Sequence, residues 1–285
     1  MMKFQVFFSS LCIVAGFVFC TYASHFWVSS GLLTVSFLDI GQGDSIFIQT
    51  PHGRTVLIDA GEGTSVLERL GEVTSFWTKR IDLVILTHPD RDHLEGLLEV
   101  LPRYKIEKIL LTGIVHDSQI YRSFLDMIVE QDIDTFIPSP AHDWQIDADV
   151  YLDILSPLEG FAFEEVQHPN DTSIVAKLIY GKTTLLLPGD AEAFQEQQML
   201  LSDMDLRSEF LKSGHHGSRT SSGLDFLRSV QPQQVVMMNG KENPFGHPHL
   251  DTVLRYDDLG MEWWNTKDEG TISFVSDGVE WERYQ

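Results

Sequence analysis

The apolar run Ile81 to Leu86 (IDLVIL) leads without a break into Thr87 to His93 (THPDRDH), and this junction restricts the fold more than any other stretch. A short run of this apolarity, broken only by Asp82, reads as a strand buried on both faces, the habit of a helix-covered sheet. The strand then delivers two histidines and two aspartates onto one short loop. Buried carboxylates and imidazoles persist only when paired or when holding a metal, and Arg91 is the single cation available, directed outward. A solvated loop is the alternative; the spacing behind a strand favours a metal or catalytic site.

Alternation predicts strands at Leu33–Leu38, Ser45–Thr50 and Thr55–Ile58, a meander turned by Gly41-Gln42-Gly43-Asp44 and by Pro51-His52-Gly53-Arg54. A short helix over Ser65–Leu70 precedes the IDLVIL strand, and a helix over Leu94–Leu101 follows the cluster, stopped by Pro102. Strands are then expected at 108–112, 150–155, 173–180, 183–187, 210–212, 235–238 and 271–275. The expected helices lie at 119–130, 191–202, 222–230 and 250–259. No third glycine and no helix follow Gly41 and Gly43, which discounts a dinucleotide fingerprint. The result is a sheet-rich, layered α/β domain without linkers or repeats.

The 285 residues suffice for one large domain, read here as 31–285, with an N-terminal appendage over 1–30. Phe4 to Ala23 is almost uninterrupted in apolarity behind Lys3, which predicts a signal anchor with the body outside the cytoplasmic membrane. A cleaved signal peptide, leaving the body secreted, is the competing reading. A net charge of −22 argues against a conventional nucleic-acid-binding or anionic-membrane surface, so a polyanion would need metal ions or a local basic patch. Both cysteines, Cys12 and Cys20, precede the body, so a metal there must use His, Asp, Glu, backbone or water.

Four further groups stand at predicted strand ends, where active sites of layered α/β proteins gather. They are Asp59 in LIDAG, Asp190 in LLLPGD, His215-His216 in LKSGHHGS, and His247 with His249 in NPFGHPHL. This many ligands favours two ions, about 3.5 to 4 Å apart with a bridging carboxylate in hydrolytic sites. Asp190 is the bridging candidate, with an N-cap of the following helix as its alternative. His215 and His216, read as extended, would face opposite ways, one a ligand and one behind it, with the choice open. His247 and His249 would share a face. Asp59 is expected to support the metal loop through an Asx-turn. Glu95 and Glu99 read as a solvated helix face, His52, His116 and His142 as exposed, and Trp263 and Trp264 as straddling a strand, one core and one surface.

These motifs, with FLDIGQGDS and NDTSIVAKLIYG, resemble the metallo-β-lactamase-like hydrolase superfamily, whose signature is His-x-His-x-Asp-His after a strand. Among its branches they look like the hydrolase domain of ComEC-type DNA-uptake (competence) proteins, over Val35 to Gly278. The resemblance implies an αββα four-layer sandwich with metals at the sheet edges. It implies His88 and Asp90 on a first metal, Asp92 and His93 on a second, Asp92 also holding the attacking water, and Asp190 bridging. The distal histidine matches His247 or one of His215 and His216. Asp90 replaces the usual histidine and Asn170-Asp171 stands where another is common, departures shared by the ComEC-type branch. Such hard donors shift the expected ions from zinc toward manganese. The expectation is two divalent ions, manganese favoured over zinc, in a phosphodiesterase or nuclease acting on DNA with uptake components. His215, His216 or His249 would protonate the leaving group. A hydrolase of a small ester, lactam or nucleotide, and a tethered non-catalytic partner of an uptake apparatus, are the alternatives.

Overall fold

The computed structural model describes residues 31–75, 78–140 and 143–284. The expected N-terminal anchor or signal peptide, and His142, lie outside the described residues. Among those described, no helix is long and apolar enough to cross a membrane.

The chain builds two twisted sheets face to face. The first contains β1 (Leu33–Phe37), β2 (Ile46–Gln49), β3 (Thr55–Ile58), β4 (Arg80–Leu86), β5 (Lys105–Leu111), β6 (Asp134–Phe136), β14 (Ile272–Ser276) and β15 (Trp281–Tyr284). Their order is β15-β14-β1-β2-β3-β4-β5-β6. The second contains β7 (Trp144–Asp147), β8 (Val150–Ser156), β9 (Val175–Tyr180), β10 (Thr183–Leu187), β11 (Phe210–Lys212), β12 (Gln234–Met237) and β13 (Glu262–Asn265), ordered β13-β12-β11-β10-β9-β8-β7. The meander β1-β2-β3 is antiparallel, whereas β3-β4-β5-β6 and β10-β11-β12-β13 are parallel.

Period-two alternation explains the layering. In β4, Leu83 and Ile85 enter the core between the sheets, where they meet Leu185, Leu187 and Phe210 of the opposite sheet. Val84 and Leu86 point the other way, under α1 (Ser65–Val73), α2 (Arg91–Leu94), α3 (Leu97–Val100) and α4 (Gln119–Glu130), and Ile81, at the start of the strand, also packs in that outer cluster. The outer face of the second sheet packs under α5 (Ala193–Leu201), α6 (Leu224–Val230) and α7 (Leu250–Asp258), while α8 (Thr266–Glu269) follows β13. Helices therefore cover both outer faces, and the fold is the αββα four-layer sandwich.

Three local expectations change. The helix over 94–101 is broken into α2 and α3 around Glu95-Gly96, because Gly96 donates its N–H to Gly61 O at 2.8 Å and a Cβ there would lie 2.1 Å from Ala60 O. The strand expected from Ser173 starts at Val175, behind a short 3₁₀ turn over Pro169–Thr172. Trp263 and Trp264 do point to opposite faces of β13, yet both are half-buried, Trp263 under the helices and Trp264 between the sheets.

Candidate metal centre

The parallel strands bring their C-terminal ends to one edge of the sandwich, and the polar loops that follow meet there. Ile58 of β3 sits beside Ile85 of β4, so Asp59 emerges next to Thr87. Asp59 Oδ1 accepts from Thr87 N at 2.8 Å, and Oδ2 accepts from Thr87 Oγ1 at 2.7 Å and from His93 Nδ1 at 2.8 Å. The carboxylate thus clamps the metal loop across the strands instead of closing an Asx-turn on its own backbone.

This clamp fixes the histidine tautomers. Thr87 Oγ1 spends its proton on Asp59, so at 3.1 Å it accepts from His88 Nδ1. His216 Nδ1 donates to Met238 O at 3.0 Å and lies 3.1 Å from Asp44 Oδ1. His88, His93 and His216 therefore all use Nδ1 for outer contacts and turn Nε2 inward, the arrangement behind metal-ligating histidines. Asp190 Oδ2 lies 3.3 Å from His93 Nε2 and 3.1 Å from His216 Nε2, and Asp92 Oδ2 lies 3.3 Å from His216 Nε2. His88 Nε2 lies 3.7 Å from Asp90 Oδ2.

The three ε nitrogens and Asp190 Oδ1 are buried and make no hydrogen bond. Buried polar atoms rarely go without one, and several ligand atoms orphaned around one point fit a cation. Asp44, His93, Asp190 and His216 form a candidate metal-binding group, with ligand atoms all within 4.8 Å of one another. Asp44, however, touches His216 from the Nδ1 side and is ion-paired to Lys212, so an ion on the ε side would find Asp92 rather than Asp44.

Charges follow from this packing. Burial disfavours charge on His93 and His216, yet Asp190 with Asp59 or Asp44 holds both well above the ordinary imidazole value. Burial would raise Asp190, but the surrounding histidines, His216 foremost, pull it well below the carboxylate range. Burial with His93 nearby lowers His88 to about 3. A cation entering the group would replace protons on His93 and His216, which is how metal sites of this kind charge-balance.

The remaining expected residues line the approach. Asp90 is half-buried at the loop start and, despite standing before α2, makes no capping bond. Asp190 caps no helix either, since Glu192 occupies the N-cap of α5. His215 and His216 lie in a tight left-handed turn (φ 45° and 55°), not an extended strand, because β11 already ends at Lys212. His215 Nδ1 lies 2.9 Å from Glu192 Oε1 and its Nε2 3.6 Å from Asp190 Oδ2, on the solvent side. The His247 ring is 5.4 Å from His215 and 6.1 Å from His216 between centroids. His249, 4.9 Å from His247, accepts from Arg219 N at Nδ1. Asp171 is not brought to the cluster; Asn170 instead reaches Glu192.

Other expectations shift with burial. His116 is half-buried against Tyr121, whereas His52 is exposed and pairs with Asp147. Glu95 is not merely solvated, because it accepts from Gly63 N and Arg91, while Glu99 pairs with Arg103.

Asp44, Lys212 and Glu192 are the functional residues that reasoning from sequence missed. Fully buried Lys212 bonds the Asp44 carboxylate, donates to Gly189 O at 3.0 Å and stands 3.6 Å from Asp190 Oδ1. The GQGD turn reaches this depth because Gly43, at φ 113°, passes where a Cβ would lie 2.0 Å from Asp92 O. A lysine inside the buried strand FLK was the available signal, since such a charge requires a buried partner.

A four-layer αββα sandwich with a strand-end His/Asp cluster defines a metallo-hydrolase architecture. The chain belongs to the metallo-beta-lactamase superfamily, whose family model matches residues 38–240. It is 29% identical over 261 residues to ComE operon protein 3 of Bacillus subtilis (strain 168), covering 84% of this chain and 32% of that protein. It is likewise 29% identical over 241 residues to competence protein ComA of Neisseria gonorrhoeae, again covering 84% of this chain and 32% of the relative. The chain spans about a third of the length of these relatives. A long form RNase Z from yeast shares the fold, with a TM-score of 0.52 at 12% identity over 88% of this chain and 42% of that one.

Proposed function

We propose that the chain is a metal-dependent phosphodiesterase acting on DNA in the context of DNA uptake, at the outer face of the cytoplasmic membrane. The observation that carries the hydrolase reading is the convergence of two orphaned imidazole ε nitrogens, those of His93 and His216, on Asp190, with the orphaned His88 Nε2 facing Asp90 beside them. His93, His216, Asp92 and Asp190 would hold one divalent ion, and His88 and Asp90, with Asp190 shared, a second. When bound, such ions supply Lewis-acid activation of water and of phosphoryl oxygens. Carboxylate-rich donors support manganese over zinc, and the competence relatives support DNA over a lactam or small ester.

The protein's own groups divide the remaining work. His216 is sealed between carboxylates, and His249 is engaged by Arg219. His215 keeps a solvent-side position with Glu192 behind its Nδ1, the carboxylate–imidazole pairing that orients a proton donor. We assign it the proton for the leaving alkoxide. Asp92, held by Gln42 Nε2 at 3.4 Å, orients water.

The test is elemental analysis of the purified protein, then hydrolysis of single- and double-stranded DNA, bis(4-nitrophenyl) phosphate and a chromogenic lactam with manganese or zinc. DNA cleavage lost in Asp190→Ala with the fold retained is expected. Unimpaired cleavage in that variant, or preference for the lactam, overturns the reading. Equal turnover with zinc at matched occupancy overturns the metal preference.

A further inference from the structure

Single exposed apolar side chains are ordinary on protein surfaces, so Phe163 and Phe245 need more than exposure to carry meaning. What sets them apart is that each stands on a braced loop, one on either side of the metal group.

On the first side, the loop after β5 begins at Leu111, the register partner of Leu86, and so leaves the sheet edge beside Thr87 and the histidines that follow it. That loop holds a second one in place: Phe163 N donates to Gly113 O at 2.9 Å, and Val115 N donates to Glu164 O at 2.8 Å. Phe163 is 89% exposed and sits at φ 67°, a left-handed backbone that a phenylalanine adopts only when its surroundings impose it.

On the second side, Phe245 is 58% exposed and lies on the His247 ring, with centroids 5.7 Å apart and planes at 23°. One ring face is therefore backed and the other is open. Asn243 braces the loop, its Oδ1 accepting from His247 N and its Nδ2 donating to His247 O, both at 2.8 Å. His247 leads on to His249, and His249 Nε2 lies 3.3 Å from an Arg219 guanidinium nitrogen. Among the described residues, Arg219 has no carboxylate at ion-pair distance. In a chain of net charge −22, an exposed arginine without a counter-ion beside a hydrolytic site is a place for an anion.

We propose that the mouth of the site is a stacking subsite for the unpaired bases of single-stranded nucleic acid, with Phe163 and Phe245 as platforms and Arg219 on a neighbouring phosphate. The assignment rests on the phosphodiesterase reading and deepens it. A duplex keeps its bases paired and stacked on one another, so it cannot offer free π-faces to either ring. Aromatic platforms plus a cation are the sequence-tolerant way to hold a single strand, each platform worth about 5- to 140-fold in affinity.

The test is fluorescence anisotropy on the full chain, without added metal, using a labelled octathymidylate and an abasic octamer with the same phosphates. Wild type should bind the thymidylate at least about tenfold more tightly, with unlabelled duplex a poor competitor. Phe245→Ala and Phe163→Ala should each erase much of that discrimination while leaving the abasic affinity in place. Arg219→Ala should weaken both oligomers alike and flatten the salt slope by about 0.7. Equal binding of the two oligomers by wild type, or full discrimination kept by both phenylalanine variants, overturns the subsite. If wild type also hydrolyses bis(4-nitrophenyl) phosphate, that failure leaves the phosphodiesterase reading standing. If it hydrolyses no phosphodiester with any divalent ion, the reading fails and the subsite falls with it.

Discussion

Replacing Lys212 by methionine keeps the volume of the side chain and removes one charge, leaving Asp44 buried with His216 as its remaining cationic neighbour. Breaking a buried pair from one side costs about 3–5 kcal/mol, because the other charge stays desolvated. The His216 contact places the expected loss near the lower figure, about 3 kcal/mol. For a domain of this size that corresponds to a fall in Tm of about 6–12 °C. The double variant Asp44→Asn, Lys212→Met should regain more than half of it, since removing both partners leaves no orphaned charge. The pH sign is fixed as well. Burial raises the Asp44 carboxyl, but Lys212 and then His216 bring it below its ordinary value. Its contribution is therefore present above the ordinary carboxylate value and lost as pH falls through the depressed one, so the deficit of the single variant should shrink in acid. Urea unfolding in chelator, followed by tryptophan fluorescence, measures all of this. A single-variant loss under 1 kcal/mol, or a double variant less stable than the single, refutes the reasoning.

Asp59→Asn should weaken divalent-ion binding about 10- to 100-fold by releasing His93 and Thr87, read by calorimetric titration, with the fold intact by circular dichroism. Gly43→Ala, whose Cβ would press on Asp92 O, should cost at least about 2 kcal/mol in denaturant unfolding, and a neutral result would mean the turn can withdraw. Manganese at a hundred times its Kd should stabilise by about 2.7 kcal/mol, seen as a Tm rise of about 5–11 °C that Asp190→Asn abolishes. Glu196 sits beneath α6, and burial raises its carboxyl to about 7 although Ser222 N and Gly223 N donate to it. An acid raised on folding stabilises below its unfolded value and loses that contribution as pH rises, here from about 4.5 to about 7, by about 3 kcal/mol. Glu196→Gln should flatten that decline in melts taken across the interval, and an unchanged slope would count against the assignment.

The strands read from sequence are the interior ones, marked by continuous apolarity, as in β4, or by alternation, as in β1. The strands that escaped are edges. β6, β7 and β15 each close one end of a sheet, and β13, the fourth edge, showed itself only through Trp263 and Trp264. An edge strand has a partner on one side and solvent on the other, so short polar segments such as DTF and WERY suffice and leave little periodicity. The site divides in a similar way. His88, Asp92, His93 and Asp190 stand in polar clusters directly behind apolar runs and are visible as such. Asp44 and Lys212 are separated by 168 positions, and nothing local joins a carboxylate in a glycine turn to a lysine at a strand end until the two sheets close on each other. His215 and His216 were visible as residues, but their direction was not, because it depends on two left-handed backbones in succession.

The net charge of −22 looks at odds with a polyanionic substrate until the carboxylates near the site are followed individually. Asp44 is consumed by Lys212, Asp59 by Thr87 and His93, Asp190 by His93 and His216, and all three are buried. Glu192 faces His215. Asp92 lies against His216, and Asp90, half-buried, faces His88. Arg219, His249 and Phe245 turn outward beside them, with Asp251 exposed near His249, while many of the other acids lie elsewhere on an exposed surface. Exposed charges are screened over about 8 Å at physiological ionic strength, so distant carboxylates act on the rate of encounter more than on affinity at the mouth. The acidic composition therefore limits how readily such a strand arrives, whereas the paired interior and the uncompensated arginine decide whether it is held.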